Sequence, residues 1–184
     1  MSLSENSDTS DRTLILLRHA KAEKGRDKAD AERELADRGM RDAEAVGEWI
    51  VEATADGHVP PIDVVVCSTA LRTKQTWEAA VAGGAEAGDV WYDRTVYNAS
   101  PEALLDVVHE LPEDCSTAVI VGHSPGVPWL AGLLMTDEEA ESSGVDVLEE
   151  GWPTAGLAVL RCDGPWEKLQ PHSAHLQEFV VPRG

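Results

Sequence analysis

Thr13-Leu14-Ile15-Leu16-Leu17-Arg18-His19-Ala20 is the stretch on which the fold turns. Thr13 to Leu17 is an apolar run with no polar alternation. A strand that faces solvent on one side alternates, whereas a strand covered on both faces does not. The run therefore reads as an interior strand of an α/β sheet, with Arg18 and His19 standing where it ends.

Two later runs repeat this arrangement. Ile62 to Cys67 and Thr117 to Val121 are also short, apolar and unalternating. The first leads into Ser68-Thr69-Ala70-Leu71-Arg72, the second into Gly122-His123-Ser124. Helices are expected between them. From Asp37 to Ala55, the residues Met40, Ala43, Val46, Trp49, Ile50 and Ala53 recur at spacings of three and four, the period of a one-sided helix. A second helix is expected to about Val81, capped by Ser68 or Thr69. Ser100-Pro101-Glu102 combines a cap, a proline at the first helical position and an acid in the first turn, opening a helix to about Leu111. Val127 to Met135 reads as a further helix. Val90-Trp91-Tyr92 is a candidate short strand. Ala155–Cys162 and His175–Val181 read as strands joined through the Asp163-Gly164-Pro165 turn, a hairpin at a sheet edge. Lys21 to Glu34 is charged and aperiodic, hence a loop. This order predicts a three-layer α/β/α domain over residues 13–184, after a polar, flexible leader over residues 1–12.

Composition narrows the partners. The 184 residues are 42% hydrophobic, enough for one sizeable core. Asp plus Glu number 34 against 15 Lys plus Arg, a formal net charge of −19. That balance argues against nucleic acid and against an anionic membrane surface, both of which bind through Lys and Arg. It leaves room for a small anion held in a local positive pocket. Cys67, Cys115 and Cys162 are odd in number and widely spaced, which argues against a disulfide framework or zinc knuckle and for a reducing cytoplasm. No His pair has ligand spacing beside a carboxylate, so no metal is expected.

In open α/β sheets, ligands bind beyond the carboxyl ends of the strands. Three strands arriving at one edge would bring Arg18, His19, Arg72 and His123 together. Arginine meets the oxygens of a phosphoryl group with paired hydrogen bonds. Phosphoryl transfer asks mainly for positioning and charge stabilisation, and a neutral histidine in line with phosphorus can act as nucleophile. Ser68 and Ser124 read as a cap and a turn residue within reach of the same anion. Asp30 and Arg33 read as an ion pair or a helix-entry feature.

The three motifs, in this order, resemble the histidine phosphatase superfamily, whose fold is the phosphoglycerate mutase-like mixed, mostly parallel sheet between helices. Arg18-His19-Ala20 is similar to its opening signature, with Ala20 where glycine is usual. Ser68-Thr69-Ala70-Leu71-Arg72-Thr73-Lys74-Gln75-Thr76 resembles its second arginine motif, and Val121-Gly122-His123-Ser124-Pro125-Gly126 its second histidine motif. Asp30, Arg33, Leu35, Arg38 and Gly39, then Pro153 to Leu160, Trp166 and Phe179 to Arg183, resemble the small SixA-type phosphohistidine phosphatases within it. The resemblance implies His19 as nucleophile, Arg18 and Arg72 as phosphate holders, His123 as their assistant, and no metal or organic cofactor. It implies a phosphorylated protein, or a small phosphorylated molecule, as partner.

One part of the superfamily pattern is missing. Larger members carry an acidic proton donor between the second arginine and the second histidine. Here Tyr97-Asn98-Ala99 stands in that region, and Glu23, Asp30 and Glu32 are the substitutes to consider. A weak general acid suits phosphohistidine better than a phosphate ester, because imidazole departs far more readily than an alkoxide. A broad phosphomonoesterase or mutase-like enzyme, and a non-catalytic phosphate-binding module, are the alternatives. Oligomeric state is left open.

Overall fold

The computed structural model describes residues 11–25, 27–136, 138 and 151–184. The opening apolar run forms β1 (Arg12–Arg18), and its side chains divide between two cores. Leu14 and Leu16 enter one; Ile15 and Leu17 enter the other. This is the period-two geometry of a strand covered on both faces.

The remaining elements are α1 (Asp37–Ala55), β2 (Ile62–Ser68), α2 (Leu71–Ala82), β3 (Ala87–Asp93), α3 (Pro101–His109), β4 (Thr117–Gly122), α4 (Gly126–Leu134), β5 (Leu157–Cys162) and β6 (Ala174–Val180). The sheet order is β3-β2-β4-β1-β5-β6. The pairs β1–β4, β2–β4 and β2–β3 are parallel, while β5 is antiparallel to both β1 and β6. The late hairpin thus forms one edge of a mixed, mostly parallel sheet, as expected.

Three layers follow from the two cores. Ala43, Val46 and Ile50 of α1 and Trp77 and Ala80 of α2 pack with Ile15, Val65 and Val119. Leu104 and Val108 of α3 and Val127, Leu130 and Leu134 of α4 pack on the opposite face with Leu16, Val66 and Ile120. Ser100 caps α3 as read from sequence, its Oγ accepting the Ala103 N–H at 3.3 Å.

Four expectations are corrected. Arg12, placed in the leader, is the buried first residue of β1; residues 1–10 of that leader lie outside the described residues. Ser68 and Thr69 do not cap α2: the N-cap is Ala70, without a side-chain bond, and Ser68 ends β2. Met40 is exposed on α1 rather than part of its apolar face. The loop after β1 is not featureless: it contains a 3-10 turn at Asp30–Glu32 and an antiparallel bridge between Ala22 and Leu35. Residues 137–141 are an acidic run expected to form a solvated face; Glu138 alone of them is among the described residues, and it is exposed.

Register aligns the ends that matter. Arg18 pairs with Gly122, and Cys67 with Val121. The carboxyl ends of the central strands β2, β4 and β1 therefore finish side by side at one edge of the sheet.

Candidate active site

At that edge lies a cavity of about 480 Å3 lined by Arg18, His19, Arg72, His123, Ser124 and Asp30, with Lys21, Arg33, Asn98 and Thr154 also contributing. Four cationic side chains and one carboxylate face it, so it is locally positive on a chain of net charge −19. A larger hollow of about 660 Å3 lies beside Ile50, Val51, Pro61 and Ile62, and its one charged lining residue is Glu86. Size alone therefore does not mark the site; converging charge does.

His19 follows β1, its main-chain N–H donating to Gly122 O at 3.0 Å. The next residue is tied to α2, since Ala20 N–H donates to Thr76 Oγ1 at 3.0 Å. The imidazole is oriented by its own backbone: Nδ1 lies 2.7 Å from Ala20 O. A carbonyl can only accept, so Nδ1 carries the proton and Nε2 keeps the lone pair. Arg72 Nε–H donates to that Nε2 at 3.2 Å. Burial, then the charges of Arg72, Arg18 and Arg33, pushes the His19 pKa down to about 4 against the hydrogen bond to Ala20. The ring is therefore neutral at pH 7.

His123 mirrors this arrangement. Its Nδ1 receives Arg72 Nη2–H at 3.2 Å, and its Nε2 lies 2.8 Å from Ser68 Oγ. Guanidinium only donates, so in the neutral ring Nε2 carries the proton and gives it to Ser68. Burial first, then His19 and Arg72, pushes its pKa down to about 3. The two imidazole centroids are 5.2 Å apart. Gly126, at the start of α4, makes this turn possible: a Cβ there would stand 2.2 Å from the Ala99 carbonyl oxygen.

Arg72 is the hub. It is 4% exposed, on the first turn of α2. Besides the two histidines it donates from Nη1 to Asp30 O at 2.6 Å and from Nη2 to Asp30 Oδ2 at 3.0 Å. Asp30 also accepts from Tyr97 Oη–H at 2.7 Å and from Arg33 Nη1 at 3.0 Å. The hydrogen bonds from Tyr97 and Arg33, with the charge of Arg72, hold its carboxyl far below the usual carboxylate range. Arg18 is differently placed. Its Nη1 donates to Trp152 O, while Nε is buried without a hydrogen-bond partner among the described residues.

The structure thus gathers Arg18, His19, Arg72, His123, Ser124 and Asp30. Ser68 does not line the cavity; it supports His123 from behind. Glu23 is exposed and does not line it either. Asp30 is more than the ion pair read from sequence, because Arg72 and Tyr97 share it. Tyr97, standing in the region where larger members carry an acid, joins the site through Asp30 and His123. Its contacts to Asp30 and His123 are long-range, and no local pattern signals them. Arrangement and charge suit a tetrahedral oxyanion with an imidazole lone pair beside it.

Comparison with known proteins agrees. Residues 14–90 match the model of the histidine phosphatase superfamily, branch 1. The chain is similar to a protein assigned as phosphohistidine phosphatase SixA from Nakamurella multipartitia, with 35% identity and a TM-score of 0.75, covering 94% of this chain and 96% of that one. It is also similar to one so assigned from Agrobacterium tumefaciens, with 27% identity and a TM-score of 0.73, covering 93% and 98%. An uncharacterized protein of Mycobacterium tuberculosis is 33% identical over 167 residues, 91% of this chain and all of its own length.

Proposed function

The chain belongs to the histidine phosphatase superfamily as a SixA-type phosphatase, and on that premise we propose that it removes phosphoryl groups from protein phosphohistidine through a covalent intermediate on His19. The observation that carries the reading is the paired geometry of His19: Nδ1–H fixed on Ala20 O, and Nε2 bearing its lone pair at the positive cavity.

The chemistry balances without a strong acid. The substrate ring, protonated on its distal nitrogen, leaves as neutral imidazole when the P–N bond breaks; imidazolium pKa is roughly 6.5, so this form is well populated near neutrality. His19 Nε2 supplies the electron pair for the new bond as the Arg72 Nε–H passes from it to a phosphoryl oxygen. Phospho-His19 then carries positive charge on a ring whose Nδ1–H still donates to Ala20 O. Water attacks phosphorus, the Nε2–P bond breaks, and His19 returns neutral with release of dihydrogen phosphate. Arg18 and Arg72 hold the oxygens, and His123 assists as a neutral ring whose Nδ1 keeps one Nη2–H of Arg72 beside them.

Substrate class rests on Asp30. It is the one carboxylate among the described cavity-lining residues, and it is kept ionised, with its oxygens occupied by Arg33, Arg72 and Tyr97. An ionised carboxylate is a poor proton donor to a departing alkoxide. Free, buried thiols at Cys67, Cys115 and Cys162 support a cytoplasmic setting.

A substrate panel tests the proposal. The value of kcat/KM for a phosphohistidine peptide is expected to exceed that for sugar phosphates by about two orders of magnitude, about 2.7 kcal/mol of transition-state preference. Preference for a sugar phosphate would overturn it. A requirement for a bisphosphate primer would point to mutase chemistry instead.

A further inference from the structure

We infer that Asp30 and Tyr97 form a positioning pair that sets the aim of Arg72, and that Asp30 does not donate a proton to the leaving group. The inference rests on the phosphatase reading and assigns residues that the family motifs leave without a role in this chain.

The geometry is an interlock of three segments. Asp30 comes from the 3-10 turn after β1, Tyr97 from the turn that follows β3, and Arg72 from α2. Asp30 grips Arg72 twice, through its main-chain oxygen at 2.6 Å and through Oδ2 at 3.0 Å. The same Oδ2 receives Tyr97 Oη–H at 2.7 Å. Arg33 fixes the other carboxylate oxygen at 3.0 Å, and its Nε donates to Glu23 O at 2.9 Å, so the turn itself is braced. The Tyr97 ring also stands edge-on to His123, with centroids 5.4 Å apart.

This arrangement leaves Asp30 the wrong equipment for acid catalysis. A donor needs a protonated carboxyl pointing at the leaving atom. Here both carboxylate oxygens already accept, one of them twice, and their partners favour the charged form. What Asp30 can do is restrict Arg72. A long side chain held at both Nη atoms cannot leave the site, so its guanidinium stays beside the histidines, where the N–H that meets His19 Nε2 can pass to an anion arriving between them. Tyr97 secures the carboxylate in that task. The hydroxyl is the part that matters; the ring contacts would survive its removal.

Two readouts test this in the whole protein. The first is affinity for tungstate by calorimetry, for wild type, Tyr97→Phe, Asp30→Asn and Asp30→Ala. Affinity is expected to fall about threefold in Tyr97→Phe, and about tenfold or more in the Asp30 variants, with melting temperatures little changed. The second is kcat/KM across donors of graded leaving-group pKa, from phosphoramidate to an aryl phosphate and an alkyl phosphate. Each variant is expected to lose the same factor on every donor, with no shift of the alkaline pH limb. A loss that grows with leaving-group pKa and vanishes for phosphoramidate would make Asp30 a proton donor and overturn the inference. Unchanged tungstate affinity would overturn it equally. If wild type binds tungstate but turns over no donor, the phosphatase reading fails while the affinity series still decides the role of the pair.

Discussion

Strand β1 carries an arginine at each end, and the two do opposite things. Arg12 is 4% exposed and spends its guanidinium on main-chain carbonyls: Nε on Gly164 O at 2.9 Å, Nη2 on Glu113 O at 2.9 Å, and Nη1 on Cys115 O. It also lies over the Trp166 ring, 5.4 Å from the centroid. Arg18, at the carboxyl end, gives one N–H to Trp152 O and has a buried Nε with no partner among the described residues. Charge alone does not make a binding residue. A place at the cavity does, and Arg18 lines it whereas Arg12 does not.

The contrast can be broken most severely at its neighbour. His19→Ala removes the lone pair that Arg18 and Arg72 flank, and kcat is expected to fall by about four orders of magnitude in a rapid-mixing phosphate-release assay. Arg18→Ala is expected to lower kcat/KM by about a hundredfold to a thousandfold, comparable to losing a donor in an oxyanion hole. Its melting temperature should change little. Arg12→Ala should do the reverse: stability falls by about 2–4 kcal/mol in a urea titration as several carbonyls lose their donor, with kcat/KM per folded molecule unchanged. Equal effects of the two variants on both readouts would erase the distinction.

The last expected effect concerns pH. His19 and His123 are held at about 4 and about 3, below the ordinary histidine value of about 6.5. The unfolded chain therefore binds more protons between these limits, so stability is full above pH 6.5 and falls as pH drops toward 3. His123→Gln is expected to flatten that slope in unfolding curves collected across the window. A slope unaltered by the substitution would mean that His123 is not held neutral.

The same comparison explains what could be read from the sequence. The site's four main residues were legible because each follows a strand whose apolar run marks its own end, and parallel strands in one sheet share a carboxyl edge. The layers were legible for the same reason. Arg12 was not: a charged residue beside a polar leader looks solvated, and the carbonyls that bury it come from Glu113, Cys115 and Gly164, far along the chain. Asp30 was visible as a partner of Arg33, three residues on, but its hold on Arg72 and Tyr97 is a tertiary fact. Glu23, sitting in the same charged loop, shows how little local charge says about which carboxylate reaches the site.

Trapping the phosphoenzyme tests the role of His19 most directly. After rapid quenching with a radiolabelled phosphohistidine donor, wild type is expected to carry an acid-labile, base-stable label on Nε2 of His19, formed and lost within a turnover and absent from His19→Ala. A wild type that turns over without any label, or a label that persists in His19→Ala, would contradict nucleophilic attack by this histidine.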